Sequence, residues 1–335
     1  MGERIRMSLP LPDAAIGTNP DLDLAAACSG SVLASLSHLG VLQFSGEEAE
    51  SFLQGQLTCD VTSIGSSLST YGAYCSPKGR MLANFLLWRE ETGFFMVLSR
   101  DIVAAVQKRI SMFVLRSRVK VSDASDSVVF HGAAGPQADD VLRGIFDNLR
   151  IGPNEITRKA GFGTAIRLAG GRFMLASTSS NAPELRQRLA GLLTPVGPRA
   201  WHWLDIRSGV PLVTAATQDR LVPQMANLDI LGGVNFDKGC YTGQEIVART
   251  QHLGKVKRRL FLANVAAKAA PGDDLFCEDL GDQAGGLVVN AQPSPNGGYD
   301  LLAAVQSRSR ERSTVHLRSL DGPALSFLPL PYIVT

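Results

Sequence analysis

The stretch "FDKGCYTGQEIVART", residues 236–250, places one cysteine between a Lys-Gly pair and a helix-opening pattern. Thr242 and Glu245 have the spacing T-x-x-E of a capping box, which predicts that a helix begins at Thr242. Cys240 then lies two residues before the cap, close to the free N–H groups of the helix. The positive end of the helix and the neighbouring Lys238 both favour a thiolate over a thiol.

A thiolate in this position has several uses. It acts as a nucleophile, a redox sensor or a metal ligand in different proteins. An ordinary turn, cap and helix with an inert cysteine fits the same local pattern, because capping boxes are common and most lone cysteines are unreactive. The local residues alone leave both interpretations open.

Composition sets the class of protein. The 335 residues are 45% hydrophobic and 19% charged, with a net charge of +2, which predicts two or three globular domains. The five cysteines include no C-x-x-C pair, so a disulfide framework and a four-ligand zinc site are both disfavoured. No apolar run reaches the length of a membrane span. We therefore expect a cytoplasmic protein in a reducing compartment, with no metal site and a flexible lead-in over residues 1–30.

Hydrophobic periodicity divides the rest of the chain. A short strand over 40–44 and a helix precede a hairpin at "SPKGR", residues 76–80. From about residue 120, strands and helices alternate as in a compact α+β unit with an antiparallel sheet. A Pro-rich joint, "TPVGPRA", leads to the helix "WHWLDIRSG". The last part, with short apolar runs between turn residues, predicts a small β-barrel.

The octapeptide "KGCYTGQE", Lys238–Glu245, resembles the signature of the YgfZ-type folate-binding proteins. These proteins belong to the superfamily of the glycine-cleavage T-protein, an aminomethyltransferase. The resemblance extends to segments across most of the chain beyond residues 1–30. These segments are "FLQGQLTCDV" (52–61), "CSPKGRMLANFLLWR" (75–89), "LDIRSGVPLV" (204–213), "LVPQMANLDILGGVNFDKGC" (221–240), "AGGLVVNAQPSPNGG" (284–298) and the closing "LPLPYIV".

The resemblance implies an α+β, T-protein-like fold of three modules around a central opening. Residues 31–120 and 200–254 would form an N-terminal folate-binding module. Residues 121–199 would form a ferredoxin-like α+β domain, and residues 255–335 a C-terminal β-barrel.

The resemblance also implies a function. Such proteins bind tetrahydrofolate in the central cavity and assist the assembly or repair of iron–sulfur clusters in other enzymes, which affects tRNA modification. Cys240 is then the functional thiol, and iron–sulfur client or assembly proteins are the partners of a monomer that touches no membrane. The folate-site candidates are Lys78, Arg80, Asn84, Trp203, Asp205, Arg207, Lys238, Tyr241, Gln244, Glu245 and Arg249.

Two of these positions depart from the catalytic relatives. Asn84 stands where the aminomethyltransferases carry a catalytic Asp, and an amide cannot accept a proton as a general base. Arg207 stands where folate-contacting relatives have an acid that pairs with the pterin N–H groups. Either Asp205 takes over that contact or the pterin is held differently. A classical aminomethyltransferase is therefore disfavoured.

Two other functions stay open as alternatives. The first is a folate-dependent one-carbon transferase, against which Asn84 argues. The second is a tRNA-binding protein that uses the basic cluster Arg249, His252, Lys255, Lys257, Arg258 and Arg259. A net charge near zero makes nucleic acid the less favoured partner.

Overall fold

The computed structural model of the protein describes residues 19–252 and 256–334. Within those residues the α-helices are α1 (Pro20–Ser29), α2 (Ala49–Gln54), α3 (Val103–Ser111), α4 (Ala138–Arg143), α5 (Ala182–Ala190), α6 (Pro198–Arg207), α7 (Gln244–His252) and α8 (Ser307–Arg312). The strands are β1 (Val32–Ser35), β2 (Leu39–Ser45), β3 (Ser69–Cys75), β4 (Met81–Glu90), β5 (Gly93–Ser99), β6 (Lys120–Asp123), β7 (Val128–Ala134), β8 (Ile156–Lys159), β9 (Gly163–Leu168), β10 (Arg172–Thr178), β11 (Thr194–Val196), β12 (Arg258–Val265), β13 (Asp274–Cys277), β14 (Ala284–Pro293), β15 (Tyr299–Gln306), β16 (Val315–Leu317) and β17 (Leu325–Leu328).

The first sheet is antiparallel and has the strand order β3-β4-β5-β2-β6. Its two faces have different roles because successive side chains point to opposite sides of a strand. On one face, Gly40 lies so close to α3 that an added Cβ would be 2.6 Å from Val103. On the other face, Asn84 pairs with Ala73 across β3 and β4 and borders a central cavity.

The second sheet has the order β11-β1-β7-β10-β9-β8 and is antiparallel except for the β1–β11 pair. Helices α4 and α5 pack on it through a core that includes Leu33, Phe146, Phe173 and Leu185. Strand β1 therefore joins this sheet, although it precedes the first sheet in sequence. The ferredoxin-like topology and the proposed domain limits stay predictions.

The third sheet, with the order β16-β13-β14-β15-β12-β17, curls into a half-barrel. Its outer strands approach each other where His316 bridges Ala324. Alternate residues of β15 such as Leu301, Ala303 and Val305 fill its interior. A curled half-barrel sheet thus stands where the sequence predicted a barrel.

Helix α1 was not expected, because residues 1–30 were interpreted as a flexible lead-in. The Asn19 side chain caps it by accepting from the backbone N–H of Asp21 at 3.1 Å, and Pro20 occupies the first turn. The buried Asp23 carboxylate accepts from the Gly197 N–H at 2.8 Å, which fixes α1 to the start of α6. Residues 1–18 of the expected lead-in lie outside the described residues.

In the described part of the chain, no helix combines the length and the apolar character that crossing a membrane requires.

Candidate functional site

The hairpin turn between β3 and β4 lies against the start of α7, and two glycines make the contact possible. Gly79 has φ +69° and Gly243 has φ +84°, which are left-handed conformations that suit glycine. A Cβ on Gly79 would lie 2.8 Å from the Cβ of Ile246, and one on Gly243 would lie 2.5 Å from the Ser76 carbonyl oxygen. The hairpin and the motif, which are distant in sequence, therefore form one surface.

This contact brings Lys78 and Arg80 to the edge of the motif. Both side chains are exposed. Arg80 Nη1 donates to the Asp219 carbonyl at 3.2 Å, and the Ser76 hydroxyl donates to the Asp219 carboxylate at 2.9 Å. Lys78 makes no side-chain hydrogen bond with a described residue. The turn is thus braced by Asp219, and Lys78 extends into solvent beside it.

The ammonium group of Lys238 is bound by two backbone carbonyls. Its Nζ donates to the carbonyl oxygens of Leu57 and Cys59, each at 2.7 Å, and lies 5.3 Å from the centre of the Tyr241 ring. Burial lowers the pKa of Lys238. The physical reason for this placement is that buried carbonyls need donors, and the ammonium supplies two. Lys238 therefore anchors the motif to the segment that follows α2.

The neighbouring thiols differ sharply in environment. Burial raises the pKa of Cys59 and that of Cys75 to about 12, so both stay protonated at neutral pH. Burial also raises the pKa of Tyr241, whose ring is 7% exposed. Cys240 is solvent-exposed on the turn that Tyr241 anchors. The motif thus presents one accessible thiol on a fixed support.

The predicted capping box does not form. Helix α7 begins at Gln244, two residues later than expected, because Gly243 adopts φ +84° and cannot be a helical residue. The Thr242 hydroxyl makes no hydrogen bond with a described residue, whereas Gln244 Nε2 donates to the Lys238 carbonyl at 3.4 Å. Glu245 and Arg249 are exposed on α7. Cys240 therefore precedes the first helical residue by four positions, where the sequence predicted two.

A central cavity of about 70 Å³ lies between the first sheet, the second sheet and α6. Its lining combines apolar side chains with a tyrosine, a tryptophan, an asparagine and an aspartate. The residues are Leu39, Tyr71, Asn84, Phe85, Leu86, Val97, Leu168, Met174, Trp201, Asp205, Val210, Pro211 and Leu212.

Asn84 is a structural clamp in this cavity wall. It is 3% exposed, its Nδ2 donates to the Pro211 carbonyl at 2.7 Å, and its Oδ1 accepts from the Val213 N–H at 2.7 Å. Asn290 of β14 makes the equivalent pair with both backbone groups of Leu212, each at 2.9 Å. Segment 211–213 is thus held between the first and third sheets by two asparagines.

Asp205 is the carboxylate of the cavity. It forms an ion pair with Arg172, which is 2% exposed and also lies 5.1 Å from the centre of the Trp201 ring. Arg172 Nε donates to the Ala169 carbonyl at 3.1 Å, but its buried Nη2 has no hydrogen-bond partner among the described residues. Burial raises the pKa of Tyr71 to about 12, so its hydroxyl stays protonated. The cavity therefore offers the Asp205 carboxylate as an acceptor, and its ion-pair partner Arg172 lies behind the lining.

Trp203 and Arg207 turn away from the cavity towards the third sheet. Trp203 Nε1 donates to Asp300 Oδ2 at 2.8 Å, and the Arg207 Nη1 lies 3.8 Å from the same oxygen. Helix α6 explains the split, because Trp201 and Asp205 are separated by four residues and share a face that Trp203 and Arg207 do not. Trp201, which the folate-site candidates did not include, borders the cavity instead.

Two members of the basic cluster that suggested RNA binding are engaged in contacts within the fold. Arg259 is buried and its Nη1 lies 2.8 Å from each carboxylate oxygen of Asp229, while Arg258 donates to the Ala284 carbonyl at 3.4 Å. Lys257 and Arg249 are exposed. Lys255 and the side chain of His252 lie outside the described residues.

Sequence reasoning missed several residues that shape the site. Thr58 is fully buried and joins two segments, since its hydroxyl donates to the Gly233 carbonyl at 2.6 Å and accepts from the Ala73 N–H at 2.8 Å. Gln224 Nε2 donates to the Val247 carbonyl of α7 at 2.8 Å. Arg172 is separated from Asp205 by 33 positions and lies on β10 of the second sheet, whereas Asp205 lies on α6. A charged residue in an otherwise apolar strand, as in "GGRFMLAS", is the one sequence signal that points to Arg172.

Comparisons with known proteins agree with this architecture. Residues 23–157 match the family model described as the GCVT N-terminal domain. The crystal structure of the glycine cleavage system aminomethyltransferase T from Bartonella henselae superposes with a TM-score of 0.76 at 20% identity, covering 92% of this chain and 89% of that one. The fold is thus that of the T-protein.

A curated relative is closer in sequence. The tRNA-modifying protein YgfZ of Sodalis glossinidius (strain morsitans) is 30% identical over 320 residues, which cover 94% of this chain and 97% of the relative. The chain belongs to the YgfZ family.

Proposed function

We propose that the protein is a tetrahydrofolate-binding accessory protein of iron–sulfur cluster assembly or repair, with Cys240 as its functional thiol. The observation that carries the proposal is the pairing of a largely apolar cavity, which holds the Asp205 carboxylate and lacks a general base at position 84, with an exposed thiol on a braced turn outside it. Such a protein binds a folate and presents a thiol without transferring a one-carbon unit through that base. An effect on tRNA modification follows indirectly, through client enzymes that carry clusters.

The chemistry of the cavity fits a pterin. A pterin ring presents N–H donors to a carboxylate, and Asp205 in the cavity lining supplies that acceptor, with Arg172 as its ion-pair partner. Trp201 and Tyr71 supply aromatic surface for the ring.

The volume of about 70 Å³ is well below the 300–1,000 Å³ or so of typical ligand sites. Folate entry therefore requires the lining to move. Met174, with its unbranched side chain, is the lining residue best suited to adapt.

Turnover by the route of the aminomethyltransferases is disfavoured. Asn84 uses its amide to hold Pro211 and its carbonyl to hold Val213, so neither group is free for proton transfer. The proposal therefore favours folate binding over folate-dependent catalysis.

The iron–sulfur role is supported by the family and by the exposed Cys240. The Sodalis relative is named a tRNA-modifying protein. All five cysteines are free, which suits a reducing compartment such as the cytoplasm.

Anaerobic calorimetric titration with tetrahydrofolate tests the binding step. Asp205→Asn is expected to weaken binding by roughly 10- to 100-fold, because a hydrogen bond to a charged group contributes about 1.5–3 kcal/mol. Arg207→Gln, which alters a side chain directed at Asp300, is the matched control and is expected to bind like the wild type. Equal affinity in all three proteins would refute the assignment of Asp205, and the absence of wild-type binding would refute the folate proposal.

Complementation of a strain that lacks the protein tests the thiol. Cys240→Ala is expected to lower the activity of iron–sulfur enzymes in cells while the protein stays folded. Cys28→Ala removes the other exposed thiol and serves as the matched control. Full rescue by Cys240→Ala would remove Cys240 from the proposed function.

A further inference from the structure

An apolar tip, residues 112–116, projects from the surface directly after α3. Leu115 is 87% exposed, Met112 59% and Phe113 39%. Clustered exposure of large apolar side chains is uncommon in monomeric proteins and marks surfaces that bind a partner. Nothing in the cavity or the cysteine motif accounts for this cluster.

The tip is built as a fixed structure. Leu115 has φ +45°, a left-handed conformation that is an outlier for a bulky residue. Two backbone hydrogen bonds of 2.8 Å, from Ser117 N–H to Val114 and from Val119 N–H to Ser117, close the turns that follow it. Val114 and Val119 pack against the main core. Strain of this kind persists where the surroundings enforce it, and it is enriched at functional sites.

The base of the tip is braced by the segment before α2. The Glu48 carboxylate accepts from the Arg118 N–H, and Gly46 packs so closely that an added Cβ would lie 2.1 Å from the Arg118 carbonyl oxygen. Leu115 is therefore held outwards by contacts on both sides of the loop.

Charged groups surround the tip unevenly. Lys108, Arg116 and Lys120 are exposed and make no ion pair with a described residue. Glu47 pairs with Arg118 at 2.6 Å. A groove beside the tip has Phe113, Leu115 and Arg116 on one side and Glu48 on the other. The surface thus combines an apolar centre with an excess of unpaired cations and a smaller acidic border.

We propose that this tip docks into an apolar groove with an acidic rim on a client protein. Methionine, phenylalanine and arginine are enriched at protein interfaces, and the unpaired cations complement an acidic rim. A continuous anionic lipid surface or RNA backbone fits less well, because it would also face Glu47 and Glu48, whereas the rim of a groove can place its acids opposite the cations alone. The inference rests on the proposed function to the extent that an accessory protein needs clients.

Site-specific photo-cross-linking in living cells tests the docking directly. The full chain carries p-benzoylphenylalanine at position 113 and is expressed in cells that lack the native protein. The expected result is a discrete protein adduct whose cross-linked peptide is acidic and apolar. The yield is expected to fall roughly tenfold when Lys108→Glu and Arg116→Glu are added, because interface charge pairs contribute on that scale. The same photoreactive residue at Leu192, which is 55% exposed elsewhere, is the matched control and should give no such adduct.

Several results would overturn the inference. The first is the absence of an adduct. The second is an adduct with lipid, with nucleic acid or with a second copy of the chain. The third is a protein adduct whose yield stays the same after the charge reversal.

A second variant separates docking from the proposed function. Leu115→Gly suits φ +45° and removes the exposed side chain, so the protein is expected to keep its stability and its affinity for tetrahydrofolate. Client enzyme activity in cells is expected to fall roughly tenfold, the effect of losing a central interface residue. If Cys240→Ala fails in that assay but Leu115→Gly rescues fully, the docking inference alone is wrong. If Cys240→Ala also rescues fully, the proposed function is wrong, and the cross-link then decides whether the docking surface exists.

Discussion

Replacing Asn84 with aspartate restores the residue type expected in the aminomethyltransferases, and the structure predicts that the protein resists it. The new carboxylate keeps the hydrogen bond from the Val213 N–H, but its second oxygen faces the Pro211 carbonyl at the 2.7 Å position of the former amide. Two acceptors at this distance repel each other. The site relieves the repulsion by keeping the carboxyl protonated, so that it donates to Pro211 as the amide did.

The cost follows from the pKa shift that this requires. In Asn84→Asp, the folded-state pKa of the introduced carboxyl rises above the unfolded value of about 3.9. The folded protein then binds more protons, so stability is present at low pH and is lost as pH rises, at about 1.4 kcal/mol per pH unit. Full retention of the proton up to pH 8 would cost about 5.5 kcal/mol, whereas ionising and losing the buried hydrogen bond costs about 3–4 kcal/mol. The smaller cost applies, and we expect a loss of about 3–4 kcal/mol at pH 8 and under about 1 kcal/mol at pH 4.

Urea unfolding of the variant and the wild type between pH 4 and pH 8 measures this difference. Asn296→Asp introduces the same charge at an exposed turn and is the matched control, with an expected change within about 0.5 kcal/mol. If Asn84→Asp matched the wild type at both ends of the pH range, the carboxylate would be solvated there. The clamp would then be a minor contact.

Three further predictions concern stability. Burial lowers the pKa of His38 and of His202, so the unfolded chain takes up protons at a higher pH than the folded protein. The free energy of unfolding should therefore fall as pH drops below about 6.5, by up to about 1.4 kcal/mol per pH unit for each proton. In urea unfolding at a series of pH values, His38→Phe should make the free energy of unfolding depend less on pH. Gly243→Ala should lower stability by about 1–3 kcal/mol in thermal unfolding, because Gly243 has a positive φ and contacts the hairpin. Gly239→Ala, at a position with open space around it, is the control and should leave stability unchanged. Tyr332→Phe removes a hydroxyl that donates to the Gly209 carbonyl at 2.7 Å and should cost about 1 kcal/mol in urea; an unaltered midpoint would show that the C-terminal segment does not stabilise α6.

The sequence predicted the broad fold through patterns that are local. The hairpin at 76–80, the helix after the Pro-rich joint and the strands of the last part all form where turn residues and apolar runs indicated. The entry of β1 into the second sheet was beyond such reasoning, because strand pairing between distant segments leaves no trace in a single sequence. Helix α1 was missed for a different reason: its stability comes from Asn19 and from the contact of Asp23 with Gly197, which is a tertiary interaction.

The candidate site was predictable in composition more than in geometry. Cys240 and the hairpin were recognised from residue type and resemblance, and the structure brings them together through Gly79 and Gly243. The contacts of Lys238 with two carbonyls were not predicted, because the sequence does not show which buried carbonyls lack donors. Asp205 as the cavity carboxylate was one of two alternatives, and its partner Arg172 could be found only from the packing of the second sheet against α6.

Asn84 has two effects: its amide cannot act as a base, and its hydrogen bonds hold part of the wall of the small cavity. A carboxylate at position 84 could not donate to Pro211, so its only hold on segment 211–213 would be the bond from the Val213 N–H, beside the pair made by Asn290. With the asparagine, both sheets grip the segment, and Pro211 and Leu212 form part of the wall of a cavity of about 70 Å³. The substitution that removes proton transfer therefore also fixes the wall beside the proposed pterin site. A protein of this design gains a rigid support between its first and third sheets, and the thiol proposed as its functional group, Cys240, is exposed outside the cavity.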